Sequence, residues 1–149
     1  MGCDIHMFPE KREDWGWRFV YRHIPDTRRP DSWPRPDRRN YFTMDDRWYW
    51  FFGQLAGVRH DGPPIAEPRG CPDDADDDVR EFIQDSDYHT PSWLTLAELK
   101  AHDWLGAMRK DSSVILDKGA ADHITEWLNR LAEIDPDPNR VRIVFAFDS

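Results

Sequence analysis

The sequence predicts a single α+β domain, in which a small antiparallel or mixed sheet includes the N- and C-terminal strands and carries helices packed on one face. Strand-like runs occupy residues 2–8 and 141–147 of the 149-residue chain. Between these two runs, apolar residues recur at helical spacing. Strands at both ends with helices between them are typical of α+β folds.

The composition indicates a folded chain with an acidic surface. The formal net charge is −9, and 33% of the residues are charged. The chain also contains eight Trp and eight Phe. Disordered chains are poor in aromatic residues, so we expect residues 1–149 to fold around an aromatic-rich core. Because proteins that coat nucleic acid are usually basic, bulk nucleic acid is not an expected partner.

The N-terminal strand is predicted to have a hairpin partner. Residues 15–23 are rich in aromatic and β-branched side chains, which favour strands. The charged residues 10–14 read as the turn between the two strands.

Two segments read as loops. Residues 25–40 contain four prolines and five arginines, which predicts an extended and locally basic loop, because proline fixes φ and lacks a backbone donor. Residues 73–78 contain five aspartates and predict an acidic loop.

Four helices are predicted between the terminal strands. Thr43 and Asp46 have cap-like spacing at the start of the first helix. Thr95 and Glu98 form a capping box at the start of the third. The four predicted helices begin at Thr43, near residue 79, at Thr95 and near residue 119.

A repeated Asp-x-His spacing marks the main candidate site. Asp4 and His6 lie on one face of the first strand, because side chains alternate across a strand. Asp87 and His89 repeat this spacing in a polar segment just before a helix, where functional groups are often presented. We expect Asp4, His6 and His89 to be catalytic.

The same spacing predicts a metal site. Imidazole and carboxylate groups bind divalent metals such as Zn, Mn or Mg, and a bound metal lowers the pKa of its water. Metal sites need three or four ligands, so an Asp-x-His pair alone is also compatible with a hydrogen-bonded pair that fixes the edge of the sheet. The predicted ligands are Asp4, His6, Asp87, His89 and Asp148.

Two arginines are candidates for binding phosphate. Arg59 and Arg69 flank a segment rich in proline and glycine, and a guanidinium group offers a bidentate fork to phosphate. Ser92 and Trp93 follow the second Asp-x-His element. We expect these four residues to bind a nucleotide or another phosphate-bearing small molecule. The alternative for the arginines is a salt bridge with one of the many acids.

Five motifs occur together in a fixed order. They are Met-Gly-Cys-Asp-Ile-His at residues 1–6, Gln-Leu-Ala-Gly-Val-Arg at 54–59, Glu-Pro-Arg-Gly-Cys-Pro at 67–72, Tyr-His-Thr-Pro-Ser-Trp-Leu-Thr at 88–95 and Arg-Ile-Val-Phe-Ala-Phe-Asp at 142–148. In this combination the chain resembles an uncharacterised family of small proteins encoded by bacteriophages and bacteria. The resemblance spans nearly the whole chain, and it implies a phage-type accessory protein without specifying an activity.

Three functions follow from these features. The leading hypothesis is a metal-dependent hydrolase of a phosphoester or nucleotide substrate. The alternative is a non-catalytic counter-defence factor that binds a nucleotide or a host protein. The third is an interaction protein whose acidic surface makes the contact.

The expected location is cytoplasmic, which means the host cell cytoplasm if the protein is phage-encoded. The N-terminus lacks the apolar core of a signal peptide, and no apolar run approaches the roughly 18 residues of a membrane span. Cys3 and Cys71 are far apart and form no Cys-x-x-Cys motif, so we expect reduced thiols.

Overall fold

A computed structural model of the protein describes residues 2–23, 40–44, 47–85, 87–111 and 118–149, without the side chain of residue 118. Its strands are β1 (Asp4–Glu13), β2 (Gly16–Phe19), β3 (His89–Thr95) and β4 (Val141–Asp148). They form one antiparallel sheet in the order β2-β1-β4-β3. The α+β fold and the membership of both terminal strands in the sheet are therefore confirmed.

The described α-helices are α1 (Tyr49–Ala56), α2 (Asp77–Ile83), α3 (Leu96–Ala101), α4 (Trp104–Lys110) and α5 (Lys118–Ala132). A short 3-10 helix, Pro138–Arg140, leads into β4. None of the helices in these ranges combines the length and the apolar character needed to cross a membrane.

The first and last strands form the centre of the sheet. β1 and β4 pair from Asp4 opposite Asp148 to Lys11 opposite Val141. Residues 141–147 are buried without interruption, because both faces of β4 are covered. This pairing brings the start of β1 and the end of β4 to the same end of the sheet.

One face of the sheet carries the main core. Alternate residues of β4, including Ile143, Phe145 and Phe147, pack there with side chains from α1, α3, α4 and α5. Fully buried members of this core include Phe51, Phe52, Leu94, Leu96, Leu99, Met108, Ile124, Trp127 and Leu131. Four of the described α-helices, α1, α3, α4 and α5, therefore pack on one face of the sheet, as the sequence predicts.

The helix α2 covers part of the opposite face. Its residues Val79 and Ile83 pack against Val144 and Ala146 of β4. Asp76 caps α2 by accepting a hydrogen bond from the backbone N–H of Asp78 at 2.9 Å. The predicted acidic loop at residues 73–78 is therefore a loop that continues into the first turn of α2.

Several boundaries differ from the sequence prediction. The first helix begins at Tyr49, with Trp48 as its N-cap, rather than at Thr43. The Thr43 hydroxyl donates to the carbonyl oxygen of Asn40 at 3.0 Å and is engaged in a turn, while Asp46 is outside the described residues. The hairpin between β1 and β2 is confirmed, but its turn is at residues 14–15, because β1 continues to Glu13.

The strand β3 was missed. The sequence predicts a polar segment just before a helix at Asp87 and His89, whereas a strand begins at His89. A β-bulge between His89 and Ser92 interrupts the alternation, and Pro91 stands in the bulged part. The capping box of Thr95 and Glu98 is confirmed at the start of α3. The predicted Pro/Arg-rich loop at 25–40 falls almost wholly on residues outside the described ranges.

A buried ion pair joins the two central strands. Arg142 Nε donates to Glu10 Oε1 at 2.7 Å, and the two side chains are only 3% and 0% exposed. The Arg142 guanidinium lies 4.0 Å from the centre of the Trp17 ring. Burial raises the pKa of Glu10 above its ordinary value, against the opposing hydrogen bonds from Asp76 and Arg142. Removing one member would leave a buried charge without its partner.

We expect Glu10→Ala to lower the free energy of unfolding by about 3–5 kcal/mol, because the buried Arg142 guanidinium would lose its buried carboxylate partner and keep only Asp74, whose side chain is 60% exposed. The measurement is urea denaturation followed by circular dichroism. The matched control is Glu13→Ala, which is on β1 like Glu10. It removes the partly exposed pair between Glu13 and Arg18 of β2 and should lower the free energy of unfolding by about 1 kcal/mol or less. Similar small losses in both variants would contradict the prediction.

Candidate functional site

The candidate site lies at the end of the sheet where β1 and β3 begin and β4 ends. The register sets Asp4 opposite Asp148 and His6 opposite Ala146. Because alternate residues share a face, Asp4, His6 and Asp148 emerge on the face opposite the main core. The central pairing of the terminal strands therefore brings together three residues that lie at opposite ends of the sequence.

The centre of the site is a histidine–carboxylate pair. His6 Nε2 lies 2.5 Å from Asp148 Oδ2, and the two side chains are 32% and 36% exposed. A carboxylate only accepts hydrogen bonds, so Nε2 carries the proton in this pair. Among the described residues, no hydrogen bond is found to the other ring nitrogen, Nδ1. In neutral His6, the lone pair of Nδ1 is thus available to accept a proton.

Two aromatic rings contact the imidazole. The ring of Tyr88 meets His6 edge-on, with centroids 4.8 Å apart, and the ring of Phe82 lies 6.1 Å away. Tyr88 and Phe82 are themselves stacked at 5.2 Å. Burial raises the pKa of Tyr88, and the negative charges of Asp148, Asp85 and Asp87 add to that effect. The rings of Tyr88 and Phe82 therefore cover one side of the His6 imidazole.

A second ion pair stands beside the first. Arg47 donates from Nε to Asp4 Oδ1 at 2.5 Å and from an Nη atom to Asp4 Oδ2 at 3.1 Å. The hydrogen bonds from Arg47 to Asp4 raise the pKa of the guanidinium, and Asp148 contributes a smaller electrostatic effect in the same direction. Sequence reasoning missed Arg47. It precedes α1 in no recognisable motif, and only the tertiary structure sets it opposite Asp4.

His89 lies at the same end of the sheet, at the start of β3, but makes different contacts. Its ring stacks on Phe147, with centroids 6.1 Å apart. Its Nε2 is 3.1 Å from the Ser149 hydroxyl, and its Nδ1 is 2.8 Å from the Thr90 hydroxyl. Thr90 has φ of 52°, an uncommon conformation for a β-branched residue, within the bulge of β3. The bulge and this strained residue direct His89 toward Phe147, on the core side of β4.

The five predicted metal ligands do not gather into one group. Within the described ranges, no three His, Cys, Asp or Glu side chains are arranged so that they would hold a metal ion. Asp4 is paired with Arg47, His6 with Asp148, and Asp87 is exposed in the loop before β3. A divalent metal therefore stays a prediction from the sequence.

The predicted phosphate ligand Arg69 is engaged within the fold. Its two Nη atoms donate to the Glu98 carboxylate at 2.9 and 2.5 Å, and its guanidinium lies over the ring of Trp93 at 4.5 Å. The backbone N–H of Arg69 donates to the buried Ser92 hydroxyl at 3.0 Å. The salt bridge that the sequence left open as an alternative is thus present for Arg69. Ser92, Trp93 and Arg69 hold the segment before α2 against β3.

Arg59 lies at the same end of the sheet as the candidate site, beside Cys3. It has φ of 60°, and its guanidinium is 5.8 Å from the centre of the Tyr49 ring. Burial raises the pKa of the Cys3 thiol, while the neighbouring charge of Arg59 opposes that shift. Cys3 belongs to the main core and is fully buried, so it lies on the opposite face from His6.

Comparison of the chain with models of protein families, with curated proteins and with solved structures finds no match. The candidate site is defined by its own geometry. It consists of the His6–Asp148 pair, the Asp4–Arg47 pair beside it and the Tyr88 ring against the imidazole.

We expect the contribution of Glu98 to stability to depend on pH between about 4.5 and 2. Hydrogen bonds from Arg69 lower the pKa of Glu98 from 4.5 to about 2. A carboxyl group with a lowered pKa in the folded state stabilises the fold fully above its unfolded pKa, and that stabilisation is lost as the pH falls through the folded pKa. Urea denaturation of the unchanged protein and of Glu98→Gln should therefore differ most near neutral pH and converge toward pH 2.

The control for this measurement is Glu126→Gln, at an exposed position of α5. Its free energy of unfolding should follow that of the unchanged protein at every pH. A difference between the unchanged protein and Glu98→Gln that stays constant from neutral pH to pH 2 would rule out the ionic contribution.

Proposed function

We propose that the protein hydrolyses a phosphoester bond in a nucleotide or a similar small molecule, with His6 as general base. The observation that carries the proposal is the 2.5 Å contact between His6 and Asp148 at a partly exposed position. A catalytic base needs a proton-accepting nitrogen that substrate or water can reach, and a partner that holds its tautomer. Nδ1 of His6 supplies the first and Asp148 the second.

The proposed reaction uses one water molecule. The oxygen of the water molecule bonds to phosphorus while His6 Nδ1 accepts a proton from that water. The bond between phosphorus and the leaving oxygen breaks in the same step. Asp148 keeps the Nε2 proton in place and stabilises the imidazolium that forms. The leaving oxygen then takes a proton from that imidazolium, which returns His6 to its neutral state.

Arg47 is the cation that we assign to substrate orientation. The Asp4 carboxylate engages two of its donor groups and holds the guanidinium beside the His6–Asp148 pair. The Arg47 side chain is 58% exposed, and Asp4 accepts from two of the five N–H donors that an arginine has, so three donors are not used by Asp4. A phosphate oxygen would bind those donors. This role was expected for Arg69, whose bidentate fork is occupied by Glu98.

The sequence favoured a metal-dependent form of this reaction. The described residues supply no group of three ligands, so no step is assigned to a metal ion here. The resemblance to phage-encoded proteins supports an accessory role in an infected cell, in the host cytoplasm.

Non-catalytic nucleotide binding is the second candidate. It is favoured by the stacked rings of Phe82 and Tyr88 beside His6, because a nucleobase stacks on such rings. In that case His6 and Arg47 would bind the ligand without breaking a bond in it.

One experiment separates the two candidates. The purified protein is incubated with a panel of linear and cyclic nucleotides, in EDTA and in Mn²⁺. The unbound fraction is removed by filtration, the protein is denatured, and both fractions are analysed by liquid chromatography with mass detection. Cleaved nucleotide supports hydrolysis, and the comparison of EDTA with Mn²⁺ shows whether a metal is required. Intact nucleotide released only on denaturation supports binding. Recovery of every nucleotide intact in the unbound fraction contradicts both.

We expect His6→Gln and Asp148→Asn each to lower the rate of cleavage by about 10²–10⁴-fold, which is the usual contribution of a general base. The reason is that the first change removes the proton acceptor and the second removes the carboxylate that orients it. The measurement is initial rate on the nucleotide found in the panel.

The matched control for this prediction is His23→Gln, at an exposed histidine outside the site. This variant should keep the full rate. Unchanged rates in folded His6→Gln protein would remove His6 from the mechanism.

A further inference from the structure

We propose that the outer face of α2 docks a basic, amphipathic segment of a partner protein. This α2 face consists of Asp78, Glu81 and Phe82 of the helix, together with Asp85 and Asp87 in the segment that follows it. It is a separate proposal from hydrolysis, because it concerns binding to a protein and needs no chemistry at His6.

The spacing of Asp78, Glu81 and Phe82 sets them on one side of the helix, because they follow the i, i+3, i+4 pattern of a single helix face. Asp85 comes directly after the C-cap Gln84, in the turn that ends the helix. The other side of α2 is fixed, because Val79 and Ile83 are buried against β4. The acidic side chains are exposed as a result.

The face is held in place before any partner arrives. Asp76, the N-cap of α2, accepts a hydrogen bond from the backbone N–H of Phe19 at 3.0 Å. Its own N–H donates at 2.8 Å to Glu10, the buried acid of β1. A surface fixed in this way loses little conformational entropy on binding.

Phe82 gives the face an apolar centre. Its side chain is 43% exposed, although it contacts Phe8 at 5.0 Å and stacks on Tyr88 at 5.2 Å. A partner side chain that covers this ring would remove apolar surface from water, which is favourable in proportion to the area buried. Aromatic side chains, Phe among them, are enriched in protein–protein interfaces relative to the rest of the protein surface.

The charges around Phe82 decide the kind of partner. Arg80, the basic residue of α2, is engaged by Asp77 and by the carbonyl oxygen of Asp73. In the part of the chain that the structure describes, Asp78, Glu81, Asp85 and Asp87 form no salt bridge. Four such carboxylates repel phosphate and attract lysine and arginine, so the complementary partner is a basic protein segment rather than a nucleic acid.

The probe is a fluorescein-labelled peptide of 14 residues, built from lysine and leucine at helical spacing, with a glutamate-for-lysine version as its control. Fluorescence anisotropy with the full chain measures the Kd of each. We expect the lysine peptide to bind and the glutamate peptide not to bind. Phe82→Ser should raise the Kd by about tenfold, because a central aromatic contact is lost.

Charge variants separate this face from general attraction to an acidic protein. Asp78→Lys/Glu81→Lys changes the α2 face, and Asp122→Lys/Glu126→Lys makes the same change in charge on the exposed side of α5. The first pair should abolish binding, and the second should leave the Kd nearly unchanged. The first pair alters exposed side chains, so it tests the proposal even if Phe82→Ser does not fold.

Four results would overturn the proposal. They are no binding of the lysine peptide, equal weakening by the two charge pairs, an unchanged Kd in folded Phe82→Ser, or binding of a single-stranded oligonucleotide at this face instead. The cleavage rate of Asp78→Lys/Glu81→Lys should stay at that of the unchanged protein, so this surface and the His6 site can fail independently.

Discussion

The buried ion pair between Glu10 and Arg142 is the interaction on which the arrangement of the central strands depends. These residues lie directly opposite each other in the pairing of β1 with β4. A slip of one residue would separate them and would also move every side chain of a strand to the other face. The same register sets Asp4 opposite Asp148. The ion pair thus acts at one end of the strand pairing, and the candidate site forms at the other.

The pair also connects the sheet to its acidic loop. Arg142 donates a second hydrogen bond to Asp74 at 3.0 Å, and Glu10 accepts one from the backbone of Asp76. Because Asp76 caps α2, the helix is attached to the two central strands through polar contacts as well as through its apolar side. The position of Phe82 beside Tyr88 and His6 follows from that attachment.

The candidate site and the α2 face differ in whether their carboxylates have a cationic partner. At the edge of the sheet the acids have local partners, since Asp4 contacts Arg47 and Asp148 contacts His6. Such paired groups are held in place and are suited to orienting a small molecule. Along the α2 face, no cation among the described residues forms a salt bridge with Asp78, Glu81, Asp85 or Asp87, so their negative charge is directed to solvent. The two regions therefore differ in how their carboxylates are compensated, and Arg47 is the cation to which the proposed phosphate would bind.

Local patterns of the sequence determined the terminal strands, the hairpin, the capping box at Thr95 and the presence of Asp4 and His6 on one face, because alternation and capping act over a few residues. The strand β3 escaped detection, since a bulge at Thr90 breaks that alternation. The sequence grouped Asp148 with Asp4 and His6 as candidate ligands, but only the tertiary structure decided which side chains pair. The Asp148 partner of His6 and the Arg47 partner of Asp4 are 142 and 43 residues away along the chain, and side-chain pairing at such separations follows from strand register and core packing rather than from spacing in the sequence.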